Sequence, residues 1–317
     1  MKSNSSASPL VGGLRRIRDT AQWAAPRLRQ GDSGRREVWR DSLLKLAKRL
    51  TPVLEVRSPN GVRMLVNTRD VPIGYESFVF GSFDADFIKT VVSATKDHLG
   101  SDFPATGRVF IDVGANIGTT TVPAIMEWGA SLVLAIEPEP ENFKLLRCNT
   151  ILNCIDNQVV CVQAAATDKR GPITLELSGS NSGDHRVKPS AAEAEHNRGT
   201  VTVEGAPLDE LIDANGIDRS NIGLVWIDVQ GHEGQVLDSA PITLAARVPM
   251  VLEYWPYALS QSQGLELLHG HIAASFSAFV DLNEPRTLLN AEHVEQLRLR
   301  YEGLQYGHDY TNLLLIP

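Results

Sequence analysis

Val109-Phe-Ile-Asp-Val-Gly-Ala-Asn-Ile-Gly118 is the stretch on which the reading of this chain turns. Its first five residues are apolar except for Asp112, the composition of a strand buried on both faces. Two glycines four apart follow, and from Thr120 to Trp128 the apolar residues recur at helical spacing. A strand ending in a carboxylate, a glycine turn and a helix together hold a nucleoside-bearing ligand. Glycine lets the backbone approach the ligand, and the amides of the helix start present partial positive charge. In an open α/β sheet such ligands lie at the carboxyl ends of the strands. Asp112, Gly114, Asn116 and Gly118 are therefore candidate binding residues.

The spacing also excludes. A dinucleotide fingerprint needs Gly-x-Gly-x-x-Gly, but counting from Gly114 puts Asn116 and Thr119 where the second and third glycines belong. There is no Gly-Lys-Ser/Thr phosphate loop either. Asp112-x-Gly-x-x-x-Gly118 suits a ligand with a zwitterionic amino-acid tail and no pyrophosphate. Glu137 ends the next apolar run, Leu132-Val-Leu-Ala-Ile, where a carboxylate can accept hydrogen bonds from both hydroxyls of a ribose.

Outward from this block, strand and helix alternate. Pro140 opens a helix, Val159-Val-Cys-Val-Gln is a third strand and Ile173-Thr-Leu-Glu-Leu an extra one. Leu224-Val-Trp-Ile-Asp and Met250-Val-Leu-Glu are later parallel strands. Phe279-Val-Asp-Leu and Thr311 to Ile316 suit an antiparallel pair at one edge. The predicted fold class is α/β: a doubly wound, Rossmann-like sheet, mostly parallel, with an antiparallel C-terminal edge strand. Before the first block, Val53 to Arg57 and Val62 to Val66 read as a hairpin around Ser58-Pro-Asn-Gly61. Asp84 to His98 reads as a helix.

Residues 1–50 hold twelve Lys and Arg against four Asp and Glu, and the remainder holds eighteen against thirty-four. The first thirty residues, rich in Ser, Gly and Arg, read as poorly ordered. Arg35 to Leu50 reads as an amphipathic helix carrying Val38, Trp39, Leu43, Leu46, Ala47 and Leu50, stopped by Pro52. This divides the chain into a basic extension, 1–50, and one domain, 51–317, whose residues 51–108 form a hairpin and helix cap. The basic extension leaves two readings open, peripheral membrane contact and docking on its own or a neighbouring subunit. An acidic body argues against nucleic acid as the main partner. No apolar run reaches the roughly 18 to 20 residues of a bilayer span, and Met1 to Gly13 lacks a signal-peptide pattern. The expectation is a soluble, cytoplasmic protein. Cys148, Cys154 and Cys161 match no zinc spacing and are expected to be reduced, partly buried thiols.

Asp-Val-Gly-Ala-Asn-Ile-Gly, then Ile-Glu-Pro, then Ala164-Ala-Ala-Thr-Asp168, then Trp226-Ile-Asp-Val-Gln-Gly-His-Glu233, resemble the FkbM family of class I methyltransferases. The likeness runs from roughly Gly61 to Pro317, and its first block is fairly specific. It implies S-adenosyl-L-methionine as cofactor, with Asp112, Gly114 and Gly118 around the methionine portion. It further implies Glu137 on the ribose and Asp168 with its neighbours facing the adenine. The family commonly has Asp-Val-Glu-Gly-x-Glu after the fourth strand, whereas this chain has Gln230 for the first Glu, which removes a base or a charge.

Methyl transfer mainly requires that a nucleophile be aligned and water excluded. For a hydroxyl nucleophile a general base adds about 10²–10⁴-fold. Asp228 and His232, just past the fourth strand, are candidates, and histidine titrates near neutrality. The polar stretch from Ser178 to Arg186 adds His185 as an alternative base, with Asn181, Asp184 and Arg186 as candidate substrate ligands. Glu253, ending the fifth strand, is another. Asp228, His232 and His185 would also be chemically reasonable metal ligands, although the reading adopted is metal-free. Ala191 to Gly199 is expected to be mobile. The resulting expectation is O-methylation of a hydroxyl on a sugar, glycolipid or secondary metabolite, a small-molecule or glycan acceptor. N-methylation, or a silent cofactor-binding scaffold of the same fold, are the alternatives.

Overall fold

The computed structural model describes residues 32–100, 103–179, 181–187, 197–301 and 310–317. The expected poor order of the first thirty residues and of 191–196 lies outside them. Fourteen strands are present among the described residues: β1 Val53–Arg57, β2 Arg63–Asn67, β3 Val109–Val113, β4 Leu132–Ile136, β5 Val159–Val162, β6 Ala165–Ala166, β7 Gly171–Ser178, β8 Arg186–Val187, β9 Asn197–Ala206, β10 Ile222–Ile227, β11 Met250–Tyr254, β12 Ala278–Asp281, β13 Leu288–Asn290 and β14 Thr311–Ile316.

Eight of them make the central sheet, in the order β13-β12-β14-β11-β10-β3-β4-β5. The run from β11 to β5 is parallel. Every residue of β3, β10 and β11 is buried, because helices cover both faces and each side chain, whichever way it points, meets apolar neighbours. Alternation sorts them. Ile111, Ile136, Val225 and Leu252 belong to one apolar layer, and Phe110, Val133, Trp226 and Val251 to the other.

The C-terminal pair is antiparallel, as its pattern suggests, but β14 lies two places further in than the edge strand. It is inserted between β11 and β12, antiparallel to both, and β13 forms the outer edge. The reason is burial: Leu313, Leu314 and Leu315 are apolar in succession and need cover on both faces.

The extra strand at 173–177 belongs to a separate sheet, ordered β6-β9-β7-β8. Its partner β9 is ten residues long and pairs along the whole of β7. Asn197 to Gly199, at the end of the segment expected to be mobile, open β9. This sheet carries the 178–187 segment towards the carboxyl ends of the central strands.

The cap is tied down by polar side chains. In the Pro140–Leu152 helix, Asn149 accepts from Leu65 N (2.6 Å) and donates to Ile117 O (2.8 Å), and Asn153 behind it accepts from Arg63 N (2.9 Å). They give hairpin strand β2 the partners that a further strand would offer. A helix over Ile73–Phe80, not evident in the sequence, lies against the N-terminal helix Asp32–Leu50. The latter buries Leu44, while Trp39, Leu43, Leu46 and Leu50 are exposed. Cys148, in the Pro140–Leu152 helix, and Cys154, just beyond its cap, are exposed rather than partly buried. Cys161 is intermediate, and all three are free.

Candidate functional site

At the carboxyl ends of β3, β4 and β10 lies a narrow cleft lined by Gly114, Asn116, Glu137, Ala164 to Ala166, Gly183, His185, Asp228, Gln230 and His232. Gly114 is there of necessity. It has φ +87, and an added Cβ would sit 1.8 Å from the carbonyl oxygen of Asp228. The ends of β3 and β10 approach so closely that no side chain fits between them. Asn116 also has positive φ, 51°. Its backbone N–H donates to Glu137 Oε2 (2.8 Å), and Glu139 N–H donates to Oε1 (2.8 Å). Burial nevertheless drives the Glu137 carboxyl up to about 8, against the pull of those two donors.

Three expected cofactor residues do not line the cleft. Asp112 is wholly buried and accepts from Thr121 Oγ1 (2.5 Å), so it braces the following helix. Burial raises its pKa to about 7. Gly118 instead makes room for packing: an added Cβ would meet Leu146 Cδ1 at 3.0 Å. Asp168 stands just outside, holding Thr167 Oγ1 (3.1 Å) and Lys169 (3.4 Å), while its neighbours Ala164 to Ala166 form an apolar wall.

His232 lines the cleft beside Thr167. It is buried, its Nε2 sits 3.0 Å from Thr167 Oγ1, and its Nδ1 has no hydrogen-bond partner. That puts the ring on the apolar-walled side of the cleft. Burial lowers its pKa to about 4, only partly offset by Asp168, and so weak a base gains little as a proton acceptor at neutral pH. His185 accepts from Ser178 N–H through Nδ1 (3.0 Å), which fixes the proton of the neutral ring on Nε2.

Across the cleft the polar groups are carboxylates. Gln230, at φ +55, donates through Nε2 to Asp228 Oδ1 (2.6 Å) and to Glu253 Oε2 (3.1 Å). Burial raises Asp228, with Gln230 pulling the other way and Asp184 adding to the rise. Glu253 is pushed well above the usual carboxylate range by burial and then by Asp228 and Glu233. Glu233 accepts from Val229 N–H (3.0 Å) and Gly231 N–H (3.2 Å) and so shapes the turn; burial holds it near 7. Arg186 pairs with Asp184 (2.6 Å) and stacks 4.3 Å over the Trp255 ring. Asp84 enters the same acidic region. Although the residue as a whole is exposed, loss of water and the charges of Glu76 and Asp228 push its carboxyl to about 6.

The cleft is roofed by the 181–187 segment. Ser182 O accepts from Asn116 Nδ2 (3.0 Å) and Asn142 Nδ2 (2.8 Å). Ser182 N donates to Asp70 Oδ2 (2.9 Å), Ser182 Oγ donates to the same oxygen, and Ile73 N donates to Asp70 Oδ1 (2.9 Å). Asn181, expected to bind substrate, instead accepts from Gly183 N–H (2.9 Å) and shapes the loop. Asp70, Asn142, Ser182, Thr167 and Trp255 were not evident in the sequence. Ser182 and Thr167 do stand in stretches marked in the sequence, Ser178 to Arg186 and Ala164 to Asp168, but nothing local sets them apart from their neighbours, and Asp70, Asn142 and Trp255 stand in no marked pattern.

The groups considered as a metal set do not come together. Among the described residues, only Glu266, His269 and Glu295 place such ligand atoms within 4.8 Å of one another, and they lie away from the cleft. No helix of the described residues is long and apolar enough to cross a membrane.

Residues 112–280 match the family model described as the methyltransferase FkbM domain. No curated protein matches the sequence. Among solved structures, the chain is similar to methyltransferase FkbM from Methylobacillus flagellatus KT, at 14% identity and a TM-score of 0.39 over 74% of this chain and 56% of that one. It thus spans little more than half of that relative's length. It is also similar to M. jannaschii TYW2 in complex with AdoMet, at 12% identity and a TM-score of 0.40 over 83% and 84%. A third is the precorrin-6y C5,15-methyltransferase from Geobacter metallireducens GS-15, at 13% identity and a TM-score of 0.36 over 72% and 88%.

Proposed function

We propose, given that the chain belongs to the methyltransferase FkbM family, that it transfers a methyl group to a hydroxyl of a sugar, glycolipid or secondary metabolite. The cofactor is S-adenosylmethionine, which supplies an electrophilic methyl group when bound. The cleft suits it. Gly114 leaves the backbone bare where an amino-acid tail would lie, and the doubly braced carboxylate of Glu137 is aimed for ribose hydroxyls. The apolar wall Ala164 to Ala166 suits a purine. His232, on that wall, has an unpartnered Nδ1 that an adenine nitrogen could satisfy.

Asp228 is the residue we place beside the acceptor. Its oxygen held by Gln230 fixes the carboxylate, and the other can accept the proton of a hydroxyl as its oxygen bonds to the methyl carbon. The observation that carries this reading is the Gln230 bridge, which leaves one orientation to a carboxylate at the mouth of the cleft. Hydroxyl rather than amine is favoured because an amine attacks as the free base and has less need of such a group.

The decisive experiment is a pair of substitutions. Measured at pH 9, where the Glu137 carboxyl is ionised, Glu137→Ala should weaken S-adenosylhomocysteine binding by about 1.5–3 kcal/mol, the usual worth of hydrogen bonds to a charged group. Asp228→Asn should lower single-turnover transfer by about 10²–10⁴-fold. Calorimetry in which NAD binds more tightly than S-adenosylhomocysteine would overturn the reading. A chain that binds the cofactor yet methylates nothing across a broad acceptor panel would point to a silent scaffold.

We also propose that the N-terminal helix rests on an anionic membrane surface from the cytoplasmic side. Besides its apolar stripe it exposes Arg35, Arg36 and Arg49, while Lys45 pairs with the buried Asp41 (2.7 Å) and Glu37 is half-buried. An interfacial helix needs that combination. Sedimentation with vesicles containing phosphatidylglycerol, and not with phosphatidylcholine alone, would support it. Equal sedimentation by a Trp39→Ser, Leu43→Ser, Leu46→Ser variant would remove it.

A further inference from the structure

A second cavity, of about 720 Å³, has no part in cofactor binding as described above. It lies between the hairpin β1–β2, the Ala85–Leu99 helix and the Thr121–Met126 helix with the residues that flank it. Val56, Val62, Met64, Ile88, Val92 and Trp128 form its apolar walls, and four serines with Asn60 and Thr119 add hydroxyl and amide groups between them. The Ala85–Leu99 helix explains why the cavity exists. Val91 and Ala94 on one face are buried in the body, whereas Ile88 and Val92, at i and i+4, make a second stripe that faces the cavity. Size and lining are those of a small-molecule site.

The rim has the opposite charge to the rest of the body. Lys89 and Lys96 border the cavity with Glu127 as the one acid in its lining. Lys89 holds Asp86 at 2.9 Å, an exposed pair of little strength. A third cation is close by: a Cβ added at Gly81, which lines the cavity, would lie 3.8 Å from Arg40 Nη1. Residues 51–317 carry eighteen basic and thirty-four acidic side chains, so a cationic rim here is a local inversion that favours an anion. Position matters too. Thr119 follows directly on the glycine turn of the cofactor cleft, and Phe83 and Ala85 flank Asp84, which is near enough to Asp228 to feel its charge.

We propose that this groove binds the apolar part of an anionic amphiphilic acceptor, whose anionic group is received by Lys89, Lys96 and Arg40. The proposal rests on the methyltransferase reading and narrows it, from any hydroxyl compound to one with a hydrocarbon portion and a negative charge. Residues 1–31 are the competing occupant from the chain itself. They hold six Lys and Arg against one Asp, and a cationic segment is a poor match for a cationic rim.

The test is calorimetry on the full chain with dodecyl phosphate below its micellar concentration, against dodecyl maltoside and inorganic phosphate. Dodecyl phosphate should bind about tenfold or more tightly than either, because only it satisfies both wall and rim. Lys96→Glu, an exposed change, should weaken it about tenfold, and Val92→Glu at least as much. S-adenosylhomocysteine binding should stay within about twofold in both variants, which also reports that they are folded. Equal affinity for the three ligands, or a Lys96→Glu chain that binds like the unmodified one, would overturn the proposal. So would a tenfold gain on deleting residues 1–31, which would make the arm the occupant. Dodecyl phosphate binding by a chain that does not bind S-adenosylhomocysteine would sink methyl transfer, and the acceptor role with it, but leave the groove as a lipid site.

Discussion

Gln230 donates its side-chain amide to Asp228 Oδ1 at 2.6 Å, and the same nitrogen reaches Glu253 Oε2 at 3.1 Å. One neutral donor thereby holds two buried carboxyl groups that would otherwise repel each other. The family's more usual Glu at this position would put a third carboxyl against them.

Gln230→Glu is the direct trial of that relationship. Another buried acid raises the pKa of Asp228 further, so Asp228 is ionised only at higher pH. The acidic limb of the single-turnover profile should therefore move up, and the rate at pH 7 should fall by about tenfold or more. An unchanged profile between pH 5 and 9 would show that Asp228 does not take the proton.

His232→Ala separates the two ends of the cleft. Because burial keeps its ring neutral down to about pH 4, the rate should show no limb from His232 between pH 5 and 9. The substitution should weaken S-adenosylhomocysteine binding by about 1–3 kcal/mol and leave the transfer step nearly intact. A rate loss of about 10²-fold or more with unaltered cofactor affinity would restore it as the base.

Asp70→Ala should loosen the roof over the cleft. It removes the acceptor of Ser182 N–H, Ser182 O–H and Ile73 N–H. Unmatched buried donors cost about 1–3 kcal/mol, to be read from chemical denaturation. Stopped-flow binding should show S-adenosylhomocysteine both associating and dissociating faster. Unchanged rates would mean that the 181–187 segment does not gate the cleft.

Stability should fall as pH rises through neutrality. Asp112, Glu137 and Glu233 titrate in the folded chain near 7, 8 and 7, against about 4 when unfolded. Between those values the folded state binds more protons than the unfolded one, so each step up in pH favours unfolding. His232 acts in the opposite sense, but only between about 4 and 6.5, where the unfolded chain protonates first. Tm should thus drop from pH 6.5 to 8.5, and Glu137→Gln should reduce the slope. A Tm that rises over that range would contradict the burial of these carboxyl groups.

How much of this was legible beforehand follows from the range of each interaction. β3, its glycine turn, Glu137 and the alternating strands are local patterns, and they predict a doubly wound sheet with a nucleoside site. The hairpin at Val53 to Val66 and the helix after Asp84 were likewise readable, because turn residues and periodicity lie within a few positions. Glu137 and Gly114 reach the cleft because their places are set by the ends of consecutive parallel strands. What the sequence could not rank were residues of similar type at similar spacing. His232 and Asp228 are four apart on one turn, yet one faces Thr167 and an apolar wall and the other faces Gln230. Asp112 stands in the motif itself but turns inward to Thr121.

The sequence by itself determined the fold class and the kind of ligand, since burial pattern and backbone freedom are properties of contiguous residues. Only the tertiary structure decided which side chains meet. β14 sits inside the sheet because three successive leucines need two covered faces, and Asp70 reaches Ser182 across 112 positions of sequence. Ionisation belongs to the same class: Glu137, Glu233 and His232 acquire shifted pKa values from water excluded by segments that are remote in the chain. Desolvation depends on everything within a few ångströms, and the linear order of residues does not record that neighbourhood.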